Sequence, residues 1–151
     1  MKILISSMLL AATALWGQGN GSQNSCSNAT IAGDYGFTVT GTRLSRPGGP
    51  MEAVVGVAMT HYDGSGGLTQ TDNIHGSISG FATPDRKGSG TYTVNSDCTG
   101  TMTLVNEGAP PLTLRIVVVD GGNEIRTAVV SPLLALVTSN GRRVTPHRMD
   151  Y

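Results

Sequence analysis

Charge is scarce in this chain. Only 13% of its 151 residues are Asp, Glu, Lys or Arg, and the two signs cancel to a formal net charge of zero. Proteins that capture nucleic acid use clustered Lys and Arg to displace counterions, so no nucleic-acid partner is expected. The one basic cluster, Arg142, Arg143 and Arg148 with His147, stands at the C-terminal end and reads as a solvated tail. A helical pattern is missing too, because apolar residues recur with period two far more often than with period 3.6. There is no G-x-S-x-G elbow, no C-x-x-C pair, and no glycine fingerprint leading into a helix. Serine hydrolysis, dithiol chemistry and nucleotide binding therefore lack their usual local scaffolds, and no cofactor is expected.

Long apolar runs are also few. Lys2 precedes ILISSMLLAATALW, the most prominent one. It is too short to cross a hydrocarbon layer of roughly 30 Å, which takes about 20 helical residues. It reads as a secretory signal peptide over residues 1–19, with Ala12-Thr13-Ala14 and Leu15-Trp16-Gly17 as competing cleavage signals. A membrane anchor is the alternative that the length argues against, and a secreted or periplasmic location is expected. Export carries Cys26 and Cys98, the sole cysteines, into an oxidising compartment where a bridge between them would persist. That bridge would close a loop of about 70 residues and stabilise by roughly 4 kcal/mol on a chain-entropy argument. A reactive thiol is the competing reading, and neither cysteine has an adjacent histidine to support it. The chain thus divides into the leader, a segment 20–32 tied by the disulfide, a barrel domain 33–145 and a tail 146–151.

What is abundant is threonine, valine and glycine in alternating runs. YGFTVTG places Tyr35, Phe37 and Val39 on one side. Runs from Glu52 to Tyr62 and from Leu68 to Ser79 flank DGSGG, a hairpin turn. GSGTYTVNSDCTGTMTLV supplies two more strands about a turn that would hold Cys98 at the rim. LTLRIVVV, IRTAVV and LLALVTS follow, the last placed between Pro132 and an Asn140-Gly141 turn; LLALV as a short helical turn is the lesser alternative. About eight strands in succession predict an all-β fold, an eight-stranded antiparallel up-and-down β-barrel of calycin-like type. The rival is an immunoglobulin-type sandwich, which favours a buried tryptophan between its cysteines. The only tryptophan, Trp16, belongs to the leader.

The succession GDYGFTVTG, VVGVAMTHYDGSGGLTQTDNIHGSISG, GSGTYTVNSDCTGTMTLV and VVVDGGNEIR resembles a group of small secreted bacterial and fungal proteins, over roughly residues 33–130. That group is similar to the allene oxide cyclase-like and dirigent-like barrels. The resemblance implies an eight-stranded barrel with a central cavity, in relatives that often trimerise and bind hydrophobic small molecules. Some of them steer a cyclisation or a radical coupling with polar residues inside the barrel. None of those residues maps onto this chain by motif.

The long hairpin carries a register. With a five-residue DGSGG loop, Tyr62 faces Leu68, Ala58 faces Asp72 and Val55 faces His75, and cross-strand neighbours share a face. One face then holds Val54, Gly56, Ala58, Thr60, Tyr62, Leu68, Gln70, Asp72, Ile74 and Ile78, and it is the better interior. Gln70 and Asp72 on that face suggest a lined cavity, because a buried carboxylate must be hydrogen-bonded, hydrated or protonated. Candidate ligand-binding residues are Gln70, Asp72, Tyr62, Tyr92, Tyr35 and Ile74. Asp72 with a raised pKa is the candidate general acid or base, with Tyr62, or else Tyr92 or Tyr35, as its hydroxyl partner. A bulge that shifts the register by one and sends Asp72 to solvent is the open alternative.

Metal binding is not expected. His61 and His75 are separated by roughly 20 Å along the ladder, against bonds of about 2 Å to one ion, and DGSGG lacks the spaced acidic ligands of a calcium loop. Val55, Val57 and Met59 form an apolar stripe on the outer face, which marks either a dimer or trimer contact or a strand covered by the N-terminal segment. Three functions follow as expectations: a barrel that binds a small hydrophobic or amphipathic molecule in its lumen, a cyclase or isomerase using Asp72, and a structural extracellular unit without a ligand.

Overall fold

The computed structural model describes residues 25–145. The leader over 1–19 and the tail from 146, with His147 and Arg148, lie outside the described residues. Nine strands follow one another: β1 (Gly33–Leu44), β2 (Met51–Tyr62), β3 (Gly67–Gly76), β4 (Gly80–Phe81), β5 (Arg86–Val94), β6 (Thr99–Asn106), β7 (Leu112–Val119), β8 (Glu124–Ser131) and β9 (Leu136–Arg143). All pairings are antiparallel. Chain neighbours pair in turn, β3 passes directly to β5, and β1 meets β9 to complete the ring. The fold is a closed up-and-down barrel of eight strands, with β4 added as a two-residue strand on the end of β3.

The β2–β3 hairpin has the register that the sequence implies, with Tyr62 opposite Leu68, Ala58 opposite Asp72 and Val55 opposite His75. No bulge interrupts it, so Asp72 points inward. Its loop is held by Asp63, whose Oδ1 accepts the backbone N–H groups of Ser65, Gly66 and Gly67 at 2.7, 2.9 and 2.9 Å. Gly64 and Gly66 supply the positive φ angles, 81° and 122°, that this tight path demands. Those donors, Ser65 first, hold the Asp63 carboxyl below the usual carboxylate range.

One end of the barrel is packed shut. Ile31, Tyr35, Tyr62, Ile116 and Ile125 are fully buried there. Tyr62 meets Tyr35 and Tyr92 edge-on, with ring centroids 5.5 and 5.0 Å apart, contacts worth about 0.5–1.5 kcal/mol each beyond their buried area. Residues 25–32 lie across this end. Cys26 and Cys98 are bridged, with Cα atoms 5.0 Å apart, and Asn28 accepts the Val94 N–H at 2.8 Å through its side-chain oxygen.

Three expectations are corrected. Arg143 is not solvated: it donates to the carbonyls of Thr30 and Gly122 at 3.0 Å each and to that of Ala32, and its guanidinium lies 4.9 Å from the Tyr35 ring centre. Leu133, Leu134 and Ala135 precede β9 as a loop, and Asn140-Gly141 sits within the strand instead of ending it. The cause is Gly141, which leaves room for the Phe37 ring directly opposite on β1. Ile78 is exposed because β3 ends at Gly76 and the chain then turns outward.

Candidate functional site

Polarity along the inner wall rises toward the opposite end. Inward positions on β2 run Tyr62, Thr60, Ala58, Gly56, Val54, Glu52, from an aromatic floor through small residues to a buried acid. On β3 they run Leu68, Gln70, Asp72, Ile74, Gly76. Two carboxylates therefore sit inside the upper half of the barrel, and each is 2% exposed.

Both are paired. Arg86 begins β5 directly across from Asp72 and grips it with two parallel bonds, Nε to Oδ1 at 2.9 Å and Nη2 to Oδ2 at 2.8 Å. Such fork-to-fork geometry is the strong form of the Arg–carboxylate contact. Gln70 Nε2 adds a third bond to Asp72 Oδ2 at 3.2 Å and reaches Asn106 Oδ1 at 3.4 Å, while Gln70 Oε1 accepts from Thr60 at 3.0 Å. Glu52 takes Arg43 Nε at 3.0 Å, the Ser79 hydroxyl and N–H at 2.8 Å each, and the Ile78 N–H at 3.1 Å. The Ser79 backbone donor, then Arg43 and the Ser79 hydroxyl, lower its pKa to about 2. Two glycines make room for this network: a Cβ at Gly76 would collide with the Glu52 carboxylate, and one at Gly88 with Asn106 Oδ1.

Above the aromatic floor the lumen keeps a cavity of about 120 Å³. Adjoining it is a vestibule of about 810 Å³ framed by the β1–β2, β3–β5, β6–β7 and β8–β9 loops. Arg43, Arg86, Asn106, Leu112 and Ala135 line both spaces. The lumen alone is below the roughly 300–1,000 Å³ of a small-molecule site, and the vestibule falls within that range. Its rim is mainly apolar, with Phe81 72% exposed and Leu133 85%, Leu134 beside them, and Arg46 as an exposed charge.

Of the residues singled out from sequence, Gln70, Asp72, Tyr62 and Ile74 line the lumen cavity. Tyr35 and Tyr92 do not; they belong to the closed end, where Tyr35 donates to the Gly122 carbonyl and Tyr92 accepts the Gly64 N–H at 2.9 Å. Burial pushes the hydroxyl pKa of all three tyrosines up. Tyr62 is not the partner of Asp72, since its hydroxyl faces Met102 Sδ at 3.6 Å. Arg86 and Gln70 hold the acid instead. Sequence reasoning missed Glu52, Arg43, Arg86 and Asn106. Glu52 shares the parity of Val54 and Tyr62, and that was the available signal.

The architecture and this one-ended cavity define a closed all-β barrel with a polar upper lumen. No protein-family model, no curated protein and no solved structure matches the chain. Among the described residues no helix is long and apolar enough to cross a membrane.

Proposed function

We propose that this is an exported barrel of the allene oxide cyclase-like kind that binds a small hydrophobic or amphipathic molecule, with the ligand's apolar body in the vestibule and its inner end in the lumen. The observation that carries this reading is that the two spaces adjoin and share Arg43, Arg86 and Asn106 in their walls. Apolar rim residues, costly to leave in water at about 25 cal/mol per Å², favour an apolar occupant. The leader and the Cys26–Cys98 bridge support a secreted or periplasmic location. The outer stripe of Val55, Val57 and Met59, each about half exposed, supports self-association as a dimer or trimer, which light scattering on the purified protein would count.

The test is native mass spectrometry of protein purified from its own host, together with titration by Nile red, an uncharged fluorophore that brightens in apolar surroundings. A retained small molecule or saturable Nile red binding is expected, with Leu134→Asp weakening it about tenfold through loss of apolar contact. Absence of both from the wild-type protein would reject the reading.

A further inference from the structure

We propose that the inner end of the ligand is a mono-oxyanion, in the first place a carboxylate, received by Arg43 and Arg86. This rests on the vestibule being a binding site and goes further in naming the head group.

Donors outnumber free acceptors at the junction of lumen and vestibule. An ionised carboxylate only accepts, so Asp72 obliges Gln70 to turn its amide nitrogen inward and its oxygen toward Thr60. That same nitrogen faces Asn106 Oδ1, which turns the Asn106 amide nitrogen away from Gln70. Glu52 and Asp72 have both oxygens occupied, by four and three donors respectively. Every side-chain acceptor of the network is thus engaged. Of the amide, carboxylate and guanidinium atoms of this network, those left without a partner among the described residues are all donors: both terminal nitrogens of Arg43, Nη1 of Arg86 and Nδ2 of Asn106. All three residues line both spaces.

A second observation points the same way. The Ser45 hydroxyl, two residues beyond Arg43, is the buried side-chain polar atom without a hydrogen-bond partner among the described residues, and Ser45 lines the vestibule. A buried hydroxyl in that condition is unfavourable until something polar joins it.

Donors alone select the head group. An amine would bring more donors to a site already rich in them, where the Ser45 hydroxyl is the free acceptor on view. An alcohol presents one oxygen to several N–H groups. A carboxylate presents two acceptor oxygens in the geometry that guanidinium nitrogens match. Charge sets the upper bound: Arg43 and Arg86 are balanced by Glu52 and Asp72, and Arg46, the third arginine lining the vestibule, has no ion-pair partner among the described residues, so one negative charge is offset while a dianionic phosphate monoester would bring one more than the site can balance.

The test is displacement of Nile red from the full exported chain by decanoate, decyl sulfate, decanol and decylamine, each below its micelle concentration. Decanoate and decyl sulfate are expected to bind about tenfold or more tightly than decanol, with decylamine weakest, because charge-assisted bonds are the stronger class. Arg43→Gln should lower decanoate affinity about tenfold and leave decanol unchanged. That variant is expected to fold because three other donors still hold Glu52, and its circular-dichroism melt checks this. Asn106→Asp, which adds negative charge at the same junction, provides a second variant with the same expected split. Equal affinities for decanoate and decanol, or decanoate binding insensitive to both substitutions, would overturn the head-group assignment and leave the vestibule reading standing. Failure of Nile red and all four amphiphiles to bind would overturn both.

Discussion

Arg86→Met isolates the energetic role of the inner ion pair. Asp72 is 2% exposed and the Arg86 side chain 11%, so the substitution strands a carboxylate inside the barrel with Gln70 as its one remaining donor. Breaking a buried pair by removing one partner costs about 3–5 kcal/mol. Arg86 lies near the mouth, where water can partly replace it, and the lower figure of about 3 kcal/mol applies. For a folded unit of roughly 120 residues, one kcal/mol moves the midpoint by about 4 °C, so the variant should melt about 12 °C below wild type at pH 7. The double variant Arg86→Met/Asp72→Leu removes both charges and should recover to within about 1 kcal/mol of wild type, since apolar replacement of a whole buried pair is close to neutral. Thermal and urea unfolding followed by circular dichroism, with the disulfide kept oxidised, reads both. A single variant that melts within about 2 °C of wild type, or a double variant no better than the single, would refute the claim that this pair is buried and mutually dependent.

Three further outcomes are expected. The pKa of Glu52 is lowered to about 2, so its contribution is complete above the ordinary value of 4.5 and is lost as pH falls toward 2; the Ile78 and Ser79 amide resonances should shift together over that window, and flat titrations would contradict the contact. Gly88→Ala pushes a methyl into Asn106 Oδ1 and should destabilise by about 1–3 kcal/mol in a urea titration. Arg143→Met leaves the Thr30, Ala32 and Gly122 carbonyls without their shared donor, which should lower stability by about 1–3 kcal/mol and hasten amide exchange in residues 25–32.

The β2–β3 register could be written from the sequence because a two-strand register follows from loop length, but composition alone left a one-residue bulge open; the uninterrupted pairing and the Asp63-capped loop close that alternative. Inward placement of Gln70 and Asp72 came with it. The partner of Asp72 was not legible. Between β3 and β5 the chain makes the β4 excursion, and no alternation rule carries a register across a segment of that kind. The tyrosines show a different limit: period two tells which face a side chain occupies and not which end of the tube, so Tyr35 and Tyr92 were assigned to the site although they close the far end. Asn140-Gly141 has the composition of a turn, and only the opposing Phe37 ring explains why it is strand. Arg143 misled for the converse reason, since a basic residue close to a chain terminus gives no sign that backbone carbonyls wait to receive it.

The tyrosine floor has a kinetic corollary. With that end stoppered by Ile31 and the bridged segment beneath it, the tube is a blind alley and not a conduit. A ligand held in the proposed way would have to back out along the path by which it arrived, polar tip first inward and last outward. Residence time would then be governed by the mobility of the leucine-bearing lip, and anything that stiffens that lip should slow capture and release alike.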